Sequence, residues 1–190
     1  MVSACSLGIA AAIIALLPSR AIAGPPAELA PFFAVGEFRA GVFDASLDGG
    51  ANEDAEYMIN AELLFGRPFD RRHGDTLRDF LLRPRPHIGF SVSPGEGTDL
   101  VYAGLTWEVR LTDRVFVEAS FGGALHNGPT GSEDPETYGC NANIRESASL
   151  GIDLTEQMRL MVTVDHMSNG GLCDQNEGLT NAGVRLGYRW

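Results

Sequence analysis

A histidine and a serine lie two residues apart near the carboxyl end of the chain, where they could act as a base and a nucleophile. Leu160, Val162 and Val164 precede His166 and Ser168 with the same two-residue spacing. Because side chains alternate sides along a β-strand, all five share one face. A serine hydroxyl beside an imidazole is a candidate nucleophile and base. This pair continues an apolar face, so its substrate is expected to be a lipid.

Alternating apolar and polar residues predict the strands that position this pair. From residue 101 to 111 the alternation is strict, as in a strand with one apolar face. Short turns are predicted at 112–114 and 155–157, with longer loops near 48–55, 127–139 and 169–179 at the other end. The charged segment 66–83 is read as a short helix or a long turn. The eight predicted strands are 32–43, 56–65, 85–92, 101–111, 115–122, 142–154, 158–167 and 183–190.

The polar faces of these strands carry charges of both signs, which a water-free protein core does not tolerate. Apolar residues outside and mixed charges inside are typical of a transmembrane β-barrel, here all-β, antiparallel and eight-stranded. The alternative is a soluble barrel with its polar face outward. The terminal aromatic residue, Trp190, favours the membrane barrel. The charged residues are Glu62, Glu108, Arg110, Glu118, Arg145, Asp153, Arg185 and Arg189.

The ends and the composition limit the classes of function. Residues 1–23 fit a signal peptide, which leaves 24–190 as one barrel domain. The chain of 190 residues has a net charge of −11, and all 14 basic residues are arginine, which argues against a nucleic-acid partner. No spacing of histidine, cysteine or carboxylate predicts a metal, and no glycine-rich loop predicts a nucleotide. We therefore expect no cofactor.

Two cysteines remain once the predicted signal peptide, with Cys5, is removed. Cys140 and Cys173 both fall in loop sequence rich in glycine and asparagine. An even pair in an oxidising compartment predicts a disulfide between the two loops. The alternative is two unpaired thiols buried in the loops.

The carboxyl-terminal quarter of the chain resembles a known family. After His166 and Ser168 come Asn169, then Asn176 and Gly178, then an alternating strand that ends in an aromatic residue. This order is similar to the outer-membrane lipid A 3-O-deacylases, also called acyloxyacyl hydrolases. The resemblance implies a carboxylic-ester hydrolase in the outer membrane of a Gram-negative bacterium. Its substrate would be the ester-linked 3-acyl chain of lipid A in lipopolysaccharide, and a homodimer is compatible with it.

The chain departs from the family at the acidic member of the implied Ser-His-acid site. Two positions after Gly178 the family has an acidic residue, whereas this chain has Thr180. Threonine cannot carry the charge that stabilises an imidazolium, so the acid is sought elsewhere. The short turn around residue 156 predicts that Glu146 lies opposite His166 on the same outward face. Glu146 is therefore the predicted acid, and Glu177 is the second candidate.

The predicted roles follow the logic of a serine triad, in which Ser168 attacks, His166 transfers the proton and Glu146 orients the imidazole. Asn169, Gly170 and Gly171 are predicted to supply or position the oxyanion donors. Two alternatives stay open: a simple turn at 168–171 beside an interfacial histidine, and a catalytically silent barrel with a structural or binding role. His87 and His126 are expected in the polar lumen, and His73 in the charged connector.

Overall fold

Eight antiparallel strands form a closed barrel in the computed structural model, which describes residues 34–44, 57–67, 81, 83–95, 97–131 and 137–190. Each strand pairs with the next, and the last pairs with the first. Closure satisfies every backbone hydrogen bond of the wall, as a lipid environment requires. The predicted fold is confirmed. The strands are β1 (Val35–Asp44), β2 (Met58–Phe65), β3 (Arg85–Val92), β4 (Leu100–Arg110), β5 (Val115–His126), β6 (Ala142–Asp153), β7 (Met158–Ser168) and β8 (Leu179–Arg189).

Three predictions concern residues that the structure does not describe. The signal peptide at 1–23 lies outside the described residues, as does His73. The same holds for most of the connector at 66–83. No helix within the described ranges is long and apolar enough to cross a membrane.

The lumen is filled by charged side chains that pair with one another, as the polar faces predicted. Arg39 is 1% exposed and lies 2.7 Å from Glu37, 3.2 Å from Glu62 and 2.7 Å from Glu118. Arg159 approaches the same cluster, 3.3 Å from Glu118. Buried charges are tolerated only when they are paired in this way.

The outer wall of the barrel is apolar. Inside the barrel, a separate cluster of apolar side chains fills the lumen at the end that carries the long loops. Val162 and Phe121 are more than half exposed on the outside, at 57% and 54%. Such a wall is stable in lipid rather than in water. A buried apolar cluster lies inside the barrel toward the end that carries the long loops; it consists of Phe43, Met58, Leu100, Tyr102, Ala124, Tyr138, Met167 and Leu179.

Two tight turns at the opposite end share one hydrogen-bond pattern. The Thr112 hydroxyl accepts from the backbone N–H of Val115 at 2.9 Å, and the Thr155 hydroxyl accepts from Met158 at 2.9 Å. The matching patterns hold β4 against β5 and β6 against β7 in fixed register. One connection at this end is long, because residues 66–84 join β2 to β3.

The last strand begins earlier than its sequence suggested. We predicted a start at residue 183, whereas β8 starts at Leu179. Residues 180–183 carry no apolar alternation, since Asn181 faces the polar lumen and Gly183 packs beside Phe43. The earlier start puts Thr180 in the barrel wall, directly beside β7.

Candidate active site

The predicted histidine and serine lie at the loop end of β7, half-buried on the outer wall. The strand pairing places His166 opposite Glu146 on β6 and opposite Thr180 on β8. The predicted register between Glu146 and His166 is therefore confirmed. His166 thus has a carboxylate on one neighbouring strand and a hydroxyl on the other.

The His166 ring is held on two sides by residues of the β7–β8 connection and of β8. Its Nδ1 atom lies 2.9 Å from the Thr180 hydroxyl oxygen, within hydrogen-bond distance. A side chain at Gly178 would place its Cβ atom 2.5 Å from Cε1 of the ring, so any other residue there would displace the ring. Thr180 engages Nδ1, so Nε2 is the ring nitrogen outside that bond; within the described ranges no hydrogen bond joins Ser168 to the ring.

Glu146 does not make the hydrogen bond to His166 that we predicted. Its side chain is exposed on the outer wall, and within the described ranges no hydrogen bond joins it to the ring. Direct neighbours across an antiparallel pair still have Cβ atoms within about 4.5–5.5 Å. Glu146 is thus a charge next to the imidazole, while Thr180 is its hydrogen-bond partner. Our sequence analysis gave Thr180 no part in the site.

Asn169 fixes the backbone that follows Ser168. Its side-chain amide donates to the carbonyl oxygen of Tyr138 at 2.8 Å and to that of Gln175. Its side-chain oxygen accepts from the backbone N–H of Gly171 at 2.8 Å. Both amide protons are thereby used within the protein, so Asn169 positions the site and has no proton left for an oxyanion.

The two glycines after Asn169 form a tight turn. Their φ angles are 64° at Gly170 and 80° at Gly171, and the N–H of Leu172 donates to the carbonyl of Asn169 at 3.2 Å. Positive φ at both central positions is costly for any residue with a side chain. Since the Gly171 N–H is already bonded to Asn169, Gly170 has the remaining backbone donor at this turn.

A disulfide joins the two loops that flank the site, as predicted. Cys140 follows β5 and Cys173 lies between β7 and β8, with Cα atoms 6.2 Å apart. The same loops are joined by a hydrogen bond from the Glu177 backbone N–H to the Thr137 carbonyl, at 3.0 Å. The loop that follows Ser168 is therefore linked to the β5–β6 loop by both a disulfide and a backbone hydrogen bond.

The remaining candidate residues, Glu177, His87 and His126, make no hydrogen bond to His166 within the described ranges. Glu177 is half-buried beside Gly178, and in the described part of the chain no hydrogen bond joins its carboxylate to His166. His87 and His126 face the lumen, with exposed fractions of 4% and 7%. Both are hydrogen-bonded there, His87 to Thr106 and His126 to the carbonyl of Cys140. The described residues contain no group of three or more histidine, cysteine or acidic side chains arranged to hold a metal ion.

Comparison with solved structures finds the same fold. A structure described as "Crystal structure of the outer membrane enzyme PagL" is 19% identical, with a TM-score of 0.59, and the match covers 81% of this chain and 99% of that one. A de novo designed transmembrane β-barrel is 10% identical, with a TM-score of 0.49 over 82% of this chain and 97% of its own. Among curated proteins no match is found.

The family model supplies the evidence that fold alone does not. Residues 83–189, more than half of the chain, match the model described as "Lipid A 3-O-deacylase (PagL)". The matched segment includes His166, Ser168 and Thr180 with the strands that flank them. The barrel is accordingly an outer-membrane protein and an ester hydrolase, and the chain belongs to the PagL family of lipid A 3-O-deacylases.

Proposed function

We propose that this protein hydrolyses the ester-linked 3-acyl chain of lipid A at Ser168 on its outer wall. The observation that carries this proposal is the placement of Ser168 and His166 together on the lipid-facing side of β7, with Nδ1 of His166 held by Thr180. An ester within the outer leaflet can reach this pair from the side. The family membership supports the same reaction.

Ser168 acts as the nucleophile and His166 as the general base and acid. The Ser168 oxygen attacks the ester carbonyl carbon while Nε2 of His166 takes the hydroxyl proton. The tetrahedral intermediate collapses, and the same proton passes to the departing sugar 3-oxygen. Water, deprotonated by His166, then hydrolyses the acyl-serine and releases the fatty acid. No cofactor takes part in these steps.

The neighbouring residues supply charge and hydrogen-bond donors. The Glu146 carboxylate stabilises the imidazolium from the adjacent strand, because it lies directly opposite His166. The Gly170 N–H stabilises the oxyanion, as preorganised backbone donors do in acyl transfer. Asn169 and Gly171 hold this turn in place through their mutual hydrogen bond. Glu177 is the second candidate for the acidic role.

The wall next to the site has room for an acyl chain. Val164, two residues before His166, is flanked in register by Ala148 on β6 and Ala182 on β8. The alanines leave a shallow area between larger neighbours such as Val162, which is 57% exposed. The acyl chain can therefore lie along the outer wall with its ester at Ser168, without entering the lumen.

Mass spectrometry of lipid A tests this function. Cells that express the protein should lose one 3-hydroxyacyl chain from lipid A, and Ser168→Ala and His166→Ala should abolish the change. Leu160→Ala is the matched control, because Leu160 lies on the same face of β7, six residues before His166, and should retain activity. If lipid A is unchanged although the barrel is folded in the outer membrane, the protein is a silent barrel and the proposal is wrong.

A further inference from the structure

We infer that the two tasks of a triad acid are divided here between two strands: Thr180 orients His166, and Glu146 supplies the negative charge. This inference rests on the proposed function and deepens it. A triad carboxylate both fixes the imidazole tautomer and stabilises the imidazolium. In this chain the hydrogen-bond partner of Nδ1 is the neutral Thr180 on β8, while the carboxylate directly opposite His166 is Glu146 on β6.

Thr180 is well suited to fix the orientation of the ring. It lies directly opposite His166 on β8, and its hydroxyl is one bond from Cβ, so the backbone register sets the oxygen position. The β-branched side chain restricts χ1 further. When the hydroxyl accepts the Nδ1 proton, Nε2 is unprotonated and can receive the proton of Ser168. Thr180 is therefore a positioning residue, which acts through His166.

The Gly178 backbone makes the second contact that fixes the His166 ring. A Cβ atom there would lie 2.5 Å from Cε1 and 3.2 Å from Nε2 of His166, so the ring packs against the bare backbone. With Gly178 on one side and Thr180 at Nδ1, the ring orientation is fixed without a carboxylate. This explains how an acid can be absent from position 180 while the histidine keeps a defined hydrogen bond.

Within the described residues Glu146 makes no hydrogen bond that would orient the ring, but its charge can act through space. A hydroxyl carries no net charge, so the positive charge that develops on His166 needs another source of stabilisation. The Cβ atoms of directly opposed residues lie about 4.5–5.5 Å apart, so the Glu146 carboxylate can approach the imidazolium, and the attraction is stronger beside a low-dielectric membrane than in water. The exposed position of Glu146 on an otherwise apolar face also has a cost in lipid, which this role explains.

Two substitutions separate the orienting role of Thr180 from the charge of Glu146. Both are assayed in the refolded full barrel in detergent micelles, with purified lipopolysaccharide as substrate. Thr180→Val removes the hydroxyl and keeps the shape, whereas Glu146→Gln removes only the charge. We expect Thr180→Val to lower kcat about 10-fold with KM unchanged, the size of one lost neutral hydrogen bond. Thr180→Ser should restore kcat. Glu146→Gln should lower kcat about 10- to 100-fold, because the imidazolium loses a nearby charge.

Nitrogen NMR of His166 distinguishes orientation from charge, and it does not depend on activity. In the wild type and in Glu146→Gln, the proton should reside on Nδ1. In Thr180→Val, signals of both tautomers should appear. Thr180→Ala replaces the valine variant if the latter does not fold, and Val184→Ala on the same face of β8 is the control, expected to match the wild type in kcat and tautomer.

The outcomes that would overturn the inference are equally specific. Full activity in Thr180→Val, or an unchanged tautomer, would remove Thr180 from the site. A tautomer change in Glu146→Gln, or full activity in that variant, would show that the tasks are not divided. Retained activity in Ser168→Ala would instead refute the proposed function, and the NMR result would still report on Thr180.

Discussion

The side-chain amide of Asn169 donates a hydrogen bond of 2.8 Å to the backbone carbonyl of Tyr138, across two different loops of the barrel. Asn169 is the residue after the proposed nucleophile, and Tyr138 is completely buried beside His126. The bond therefore couples the position of Ser168 to a buried residue that is far away in the sequence.

Asn169→Ala should disrupt the end of β7 while leaving the barrel closed. The substitution removes the Asn169 donor from the carbonyls of Tyr138 and Gln175, and each lost hydrogen bond contributes about 0.5–1.5 kcal/mol, while the Tyr138 carbonyl keeps its bond from the Cys140 N–H. We expect faster amide hydrogen exchange at Gly171 and a large loss of kcat. Asn127→Ala, at an exposed bond in another loop, is the control. Wild-type exchange rates in Asn169→Ala would contradict this role.

Gly178→Ala should displace the ring of His166, the proposed general base. The added methyl group would meet Cε1 of His166 at 2.5 Å, so the imidazole must move. A misplacement of about 1 Å in a catalytic group can lower the rate about 100-fold. Steady-state deacylation measures the loss. Gly131→Ala, where a new methyl group meets no atom of the described residues within 4 Å, should retain full activity. Equal activity in both variants would show that the contact is unimportant.

Reduction of the disulfide should loosen the loops more than it destabilises the barrel. The bond between Cys140 and Cys173 spans 33 residues, a stabilisation of about 3–4 kcal/mol in the chain-entropy model. Strand pairing already restrains both ends of this segment, so we expect a smaller change in global stability. Thermal unfolding and limited proteolysis of Cys140→Ser/Cys173→Ser test this. A loss of the folded barrel, rather than faster loop cleavage, would contradict the prediction.

Arg39→Ala should lower stability without changing the chemistry. It removes the shared partner of Glu37, Glu62 and Glu118, each of which keeps a second arginine, so we expect about 3 kcal/mol, the low end of the cost of breaking a buried ion pair. Urea unfolding in detergent should show a lower midpoint, while kcat of the folded fraction stays at the wild-type value. An unchanged midpoint would mean that the cluster contributes nothing to stability.

Alternation along the strands was enough to predict the barrel, its polar lumen and the pairing of Glu146 with His166. The pairing of Glu146 with His166 could be predicted from the short turn between β6 and β7, because a tight hairpin fixes the register of both strands. The partner of His166 on β8 was missed, because the loop between β7 and β8 is longer and residues 180–183 lack apolar alternation. The contacts of Asn169 with Tyr138 and Gln175 join distant loops, and no local pattern encodes them.

The filled lumen has a kinetic consequence. With charged pairs through its middle and an apolar cluster toward the loop end, the described part of the barrel contains no inner path to the site. Substrate then arrives by two-dimensional diffusion in the plane of the leaflet. The reaction velocity should follow the mole fraction of lipid A at the surface. Dilution of lipid A with inert lipid would slow the enzyme, whereas dilution of the whole suspension with buffer would not.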